Sequence, residues 1–196
     1  MRQKIHYKGR VIRVNDSYDN ILCIYAAYED DELSDADKVD IAAYRLVRGH
    51  RLYLRALSES WKAELIEQIM KTCIEIPERP VTRRTNARSM DFWLDKDYIY
   101  SSFQKDYGID LIRQRGKLSW RKFIALFQGL SEGTKIRDVM KIRMMEIPAY
   151  NGHNSKEIRD IQELKSYYAL PVKGGGGQDG LNRLFAALEA QAVRKG

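Results

Sequence analysis

Trp61, Leu65, Ile69 and Cys73 recur every four residues, with Ile66 beside them, and Pro77 and Pro80 follow. An apolar group at that interval lines one face of an α-helix, and proline lacks the N–H that the helix needs to continue. A helix is therefore predicted from Ser58 or Ser60 to about Pro77. The same pattern of cap, apolar stripe and breaker returns along most of the chain. Ile21, Leu22, Ile24 and Tyr25 mark a helix from Tyr18 to Tyr28, and Val39, Ala42, Ala43 and Leu46 mark another, capped by Ser34 and stopping near Gly49. Tyr98, Ile99, Ser102 and Phe103 form a stripe that Gly108 is placed to end. Ser119 opens a short helix with Trp120, Phe123, Ile124, Leu126 and Phe127, closed by Gly129. Thr134 starts one with Ile136, Val139, Met140 and Arg143, ended by Pro148. Asn154 or Ser155 starts one with Ile158, Ile161, Leu164 and Tyr168, ahead of Pro171. Only the beginning differs. Ile5 and Tyr7, the turn signal Lys8-Gly9, and Val11, Ile12 and Val14 in largely alternating order predict a β-hairpin.

The fold expected is mainly α: two small helical units preceded by an N-terminal β-hairpin, with a tethered C-terminal helix. Residues 1–77 hold the hairpin and the first helices. Residues 78–90, with Arg79, Arg83, Arg84 and Arg88 and little apolar content, read as a basic linker. Residues 91–171 form the second unit. In 172–196 a run of four glycines from Gly174 is flexible by composition, and an amphipathic helix follows with Leu181, Leu184, Phe185, Leu188 and Ala192 on one face. Such a stripe is not buried by its own helix. It docks on the chain's own body, on a sister subunit or on a partner, and Leu181, Leu184, Phe185 and Leu188 are the candidate partner-binding residues.

The sequence carries no motif of known catalytic chemistry. His6, His50 and His153 are scattered, Cys23 and Cys73 lie far apart in apolar stretches, and no HExxH, CxxC, GxSxG or phosphate-binding GxxxxGK[ST] occurs. Gly175, Gly177 and Gly180 satisfy G-x-G-x-x-G, but Pro171-Val172-Lys173 supplies no buried strand before it, so no nucleotide site is expected. Glu29, Asp30, Asp31 and Glu32 lack the spacing of a calcium loop. Catalytic residues, cofactors and metals are expected to be absent. No apolar run approaches the ~20 residues of a membrane span. The start, Met1 to His6, has charge without a following apolar run, so no signal peptide, no membrane partner and a cytoplasmic location are expected.

Net charge is +7, from 34 basic and 27 acidic side chains. Its distribution is uneven. Residues 29 to 40 carry seven acids against Lys38 alone, whereas residues 113 to 143 hold nine basic side chains against Glu132 and Asp138. Such faces are either solvated or complement each other between subunits. Arg113, Arg115, Lys117, Arg121 and Lys122 flank Trp120 and Phe123, an interleaving that nucleic acid binding uses. Those aromatics also sit at core spacing, which argues for burial.

Two stretches carry a family resemblance: residues 91 to 111, with Asp97-Tyr98-Ile99-Tyr100, and the following Leu118-Ser119-Trp120-Arg121-Lys122-Phe123 with Leu126-Phe127-Gln128-Gly129-Leu130. Together they resemble the phage gene-product-fifteen family of long-tailed phages and prophages of Gram-positive bacteria. The opening hairpin, apolar helix and Glu32-Leu33-Ser34-Asp35 are similar to tail assembly chaperones of the siphophage type. The resemblance implies a non-enzymatic protein of the host cytoplasm, absent from the mature virion. Its partners would be the tape measure protein, which it keeps soluble, the tail tube protein, and further copies of itself. A basic nucleic-acid-binding accessory protein is the alternative.

Overall fold

The computed structural model describes residues 3–75 and 89–171. Most of the basic linker, the glycine run and the stripe Leu181, Leu184, Phe185 and Leu188 lie outside these residues. The chain is mainly α, with eight α-helices and a small antiparallel sheet among the described residues. No helix among them is long and apolar enough to cross a membrane. Packing divides the chain into two units. The first holds 3–75 together with Ile112–Ala125, and the second holds 89–111 and 126–171. The sequence reading puts all of 91–171 in one unit, whereas residues 112–125 pack with the first.

In the first unit, β1 (Lys4–Tyr7) and β2 (Arg10–Val14) form the expected hairpin. Lys8 and Gly9 both take positive φ, 45° and 75°, the type I′ geometry that suits the twist of a two-residue hairpin. Ile5, Tyr7, Ile12 and Val14 face the core, so Val11 points outward. The strand β3 (Val47–Arg48) pairs antiparallel with β2, an addition the sequence did not announce. The edge strand β1 is short, and Gln68 donates from Nε2 to the His6 carbonyl at 3.1 Å, occupying an acceptor that another strand would need.

Helix α1 (Tyr18–Glu29) and helix α2 (Asp35–Leu46) follow the sequence expectation closely. Ser34 caps α2 in a reciprocal box: its hydroxyl accepts from the Asp37 N–H, and the Asp37 carboxylate accepts from the Ser34 N–H, both at 3.2 Å. Val39, Ala42, Ala43 and Leu46 are buried as one stripe. A short helix α3 (Arg51–Ala56) precedes α4 (Glu59–Ile69), which Ser58 caps. The predicted long helix then widens into a π turn, Met70–Ile74, that buries Met70, Cys73 and Ile74 together. Trp61 departs from its stripe. It is 49% exposed, while Leu65, Ile66, Ile69 and Cys73 are buried. Standing in the first turn of α4, Trp61 instead carries the Lys8 ammonium, 3.8 Å from its ring centroid. Lys62 lies along the core and pairs with Asp40 of α2 at 2.6 Å.

The segment 112–125 contains a 3-10 turn (Ile112–Gln114) and the opening of α6 (Trp120–Gln128). It is sewn to the start of α1: Tyr18 N–H donates to the Leu118 carbonyl at 3.0 Å, and Trp120 N–H to that of Asp16 at 2.6 Å. Phe123 stacks on Tyr18 with ring centroids 4.8 Å apart, and Trp120 meets Tyr25 edge-on at 5.4 Å. Arg121 donates from Nη2 to the carbonyls of Thr72 and Glu75 at the end of the π turn.

The second unit contains α5 (Lys96–Tyr107), the end of α6, α7 (Lys135–Met144) and α8 (Ser155–Tyr167). Gly108 ends α5 in the left-handed conformation, as expected. Among the described residues, the buried apolar side chains of this unit are few: Ile99, Phe103, Leu111, Leu130, Ile136 and Val139. Polar groups supplement them. The Ser102 hydroxyl donates to the Tyr98 carbonyl and accepts from the Ile136 N–H. The Asp106 carboxylate accepts from the N–H and hydroxyl of Ser131. At the centre, Arg143 of α7 makes a two-pronged bond to Asp95 at 2.6 and 2.8 Å, with both side chains buried. The same guanidinium donates to the carbonyls of Ser89 and Tyr168.

Removing one member of a buried pair strands the other charge, at a cost of about 3–5 kcal/mol. Asp95→Ala is therefore expected to lower unfolding stability by that order in urea titrations. Asp95→Leu combined with Arg143→Met should recover part of the loss. Equal damage from the single and double variants would refute this account of the pair.

Candidate interaction surfaces

Helix α8 has two usable faces, set by its 3.6-residue period. Ile158, Ile161, Lys165 and Tyr168 are half-buried. The Lys165 ammonium donates to the carbonyls of Arg143 and Met145, both at 2.7 Å, where the end of α7 presents unpaired acceptors. The Tyr168 ring meets Tyr98 edge-on, and its hydroxyl accepts from the Lys135 ammonium at 2.7 Å, a bond that raises the lysine's pKa. Asp160, Glu163, Leu164 and Tyr167, at i, i+3, i+4 and i+7, line a shallow open hollow on the other face. Leu164 is 44% exposed and Tyr167 77%. The sequence grouped Leu164 with Ile158 and Ile161, but the helix turns it toward solvent beside Tyr167. Spacing from Asp160 would have revealed this acid-flanked apolar face.

The basic and aromatic residues around α6 separate. Trp120 and Phe123 are 2% and 1% exposed, closed inside the first unit, so neither ring is free to stack on a nucleic acid base. Arg115, Lys117 and Lys122 are exposed, while Arg121 holds the π turn. The nine basic side chains of 113–143 do not act as one face: five belong to the first unit, and Arg143 is consumed by Asp95. Tyr98 and Tyr100 are half-buried.

The described residues contain no group of three or more His, Cys, Asp or Glu side chains arranged to hold a metal ion. Burial, with a smaller contribution from Asp16, pushes the Cys73 thiol up and disfavours its thiolate. Burial likewise raises the phenols of Tyr25 and Tyr28. His50 lies edge-on to Tyr53, and His153 sits in the exposed turn before α8. The candidate partner-binding residues Leu181, Leu184, Phe185 and Leu188 lie outside the described residues, so the structure neither gathers nor separates them.

Exposed side chains away from specific contacts change stability by no more than about 0.5 kcal/mol when replaced. Leu164→Asp should keep the circular dichroism spectrum and urea midpoint of the parent, and Tyr167→Asp, which gives up an edge-on ring contact with Tyr168 at 4.8 Å, should keep the spectrum with a small loss in midpoint. Ile136→Asp, which buries a charge between α5 and α7, should abolish the cooperative transition of the second unit. A loss of helicity in Tyr167→Asp would show that this face is already covered.

Comparison with known proteins places most of the chain in a family. The model described as Bacteriophage Gp15 protein matches residues 1–170. No curated protein and no solved structure matches the chain. The match spans both units from the hairpin to the end of α8, and the chain belongs to the bacteriophage Gp15 protein family.

Proposed function

We propose that this protein is a phage or prophage tail assembly chaperone. It binds the tape measure protein, keeps it soluble and supports assembly of the tail tube, working in the host cytoplasm and leaving before the virion is complete. Membership of the bacteriophage Gp15 family carries this reading, since the family resemblance implies that role. The α8 face adds physical support. Leu164 and Tyr167 offer apolar area, and Asp160 and Glu163 at the same hollow favour an amphipathic helix with cationic flanks. A tape measure protein exposes apolar helical stripes over a great length, and many copies of a small helical adaptor cover them. The stripe Leu181, Leu184, Phe185 and Leu188 is the second contact surface in this reading.

Co-expression with the tape measure protein of the same genome tests it. The expected result is a several-fold gain in soluble tape measure that co-purifies with this chain and survives moderate salt. Leu184→Asp with Phe185→Asp, or deletion of residues 174–196, should abolish the gain. Leu164→Asp with Tyr167→Asp should reduce it. A tape measure that stays insoluble, while this chain elutes with nucleic acid that high salt strips away, would overturn the proposal.

A further inference from the structure

The outer face of the N-terminal sheet carries an arrangement that sheets ordinarily avoid. Strand register places Lys4 opposite Arg13, and Arg13 opposite Arg48. Ile5, Ile12, Val14 and Val47 point to the core. By the two-residue alternation of strands, Lys4, Arg13 and Arg48 therefore stand in one row across the outer face, with His6 and half-exposed Val11 beside them. Like charges directly opposite each other destabilise a sheet. Arg48 is steadied by the Asn15 side-chain oxygen. Among the described residues, no carboxylate forms an ion pair with Lys4 or Arg13.

The same unit carries the complementary set. The turn between α1 and α2 and the first residue of α2 present Asp30, Asp31, Glu32 and Asp35, all exposed. Among the described residues none of the four forms an ion pair. Nearby acids already have work: Asp37 closes the cap of α2, and Asp40 holds Lys62. The unit thus carries two sets of opposite sign, three cations on the sheet and four acids at the turn, each self-repelling and complementary in charge to the other.

We propose that the outer face of the sheet docks the acidic α1–α2 turn of a second copy of this chain, with Val11 as the apolar centre of the contact. Every copy carries both surfaces. The contact therefore propagates head to tail unless two copies reciprocate, and it forms without the tape measure protein. The inference is independent of the chaperone reading, because it rests only on register and charge.

Reciprocal charge reversal tests it, read by sedimentation velocity on the full chain. At about 50 mM salt the parent should sediment as an assembly, and at about 500 mM, where exposed charges are screened, as a monomer. Lys4→Glu with Arg13→Glu should be monomeric at low salt, and so should Asp31→Lys with Glu32→Lys. Mixed one to one, the two variants should assemble again, since each offers the surface the other now needs. Rescue on mixing excludes misfolding as the cause of either loss. A parent that is monomeric at low salt, or a mixture that stays monomeric, would overturn the proposal. So would a face that instead retains heparin through Lys4 and Arg13 with no change in mass.

Discussion

The first unit depends on side chains delivered from far along the sequence. Trp120 and Phe123 fill the space against Tyr18 and Tyr25, and backbone bonds from Tyr18 to Leu118 and from Trp120 to Asp16 fix how they enter. Without this segment, α1 would expose two tyrosine faces, and the buried ring area would be lost to water. The consequence reaches beyond packing. Because 112–125 belongs to the first unit, residues 89–111 must lead into it and 126–171 must lead away, so the second unit is built from two separate pieces of chain. Its helices α5 and α7 are then joined by side-chain chemistry, and Asp95 with Arg143 is the strongest such tie.

That second unit shows how a small core is supplemented. Among the described residues, six buried apolar side chains give modest hydrophobic stabilisation, and polar groups join them in the interior: Asp91, Asp95, Ser102 and Thr134 are all buried. Each is hydrogen-bonded, which is what allows it to be there. Arg143 spends its donors on Asp95, Ser89 and Tyr168, so one guanidinium fixes α5, α7 and the segment after α8 at once. An arginine suits this position because its planar fork meets a carboxylate with two bonds while other donors remain.

Local signals were legible where the physics is local. Ser34 as a cap, Gly108 as a stop, Lys8-Gly9 as a turn and the stripe Val39, Ala42, Ala43, Leu46 all act within a few residues, so spacing alone exposes them. The two-residue strand β3 was hidden because its pairing is with β2, more than thirty residues earlier, and two residues show no period. Helix α3 is too short to show a stripe, and the π turn keeps an apolar pattern that reads as an ordinary helix. Trp61 was misplaced because periodicity assigns a face but not the point along the helix where the core ends. Arg143 was seen as part of a stripe, yet its partner Asp95 lies 48 residues away, at the residue that precedes another helix. Of the candidate surface, the acidic run was plain in the sequence, whereas the Lys4, Arg13, Arg48 row exists only through strand register.

Two departures from the rules that make a sequence fold stand on the surface of this protein. Leu164 and Tyr167 stand exposed beside acids, and three cations stand abreast on a sheet, where like charges facing each other cost stability. Natural sequences keep such features where function uses them. The two departures also differ in kind. An apolar helical face favours contact with another helix over a broad range of sequences, because burial is non-directional. A charged sheet face favours rapid, salt-sensitive contact with one complementary surface. The proposed role would be served by both: adaptable apolar contact along a long partner, and electrostatic contact between copies that dissociates without unfolding anything.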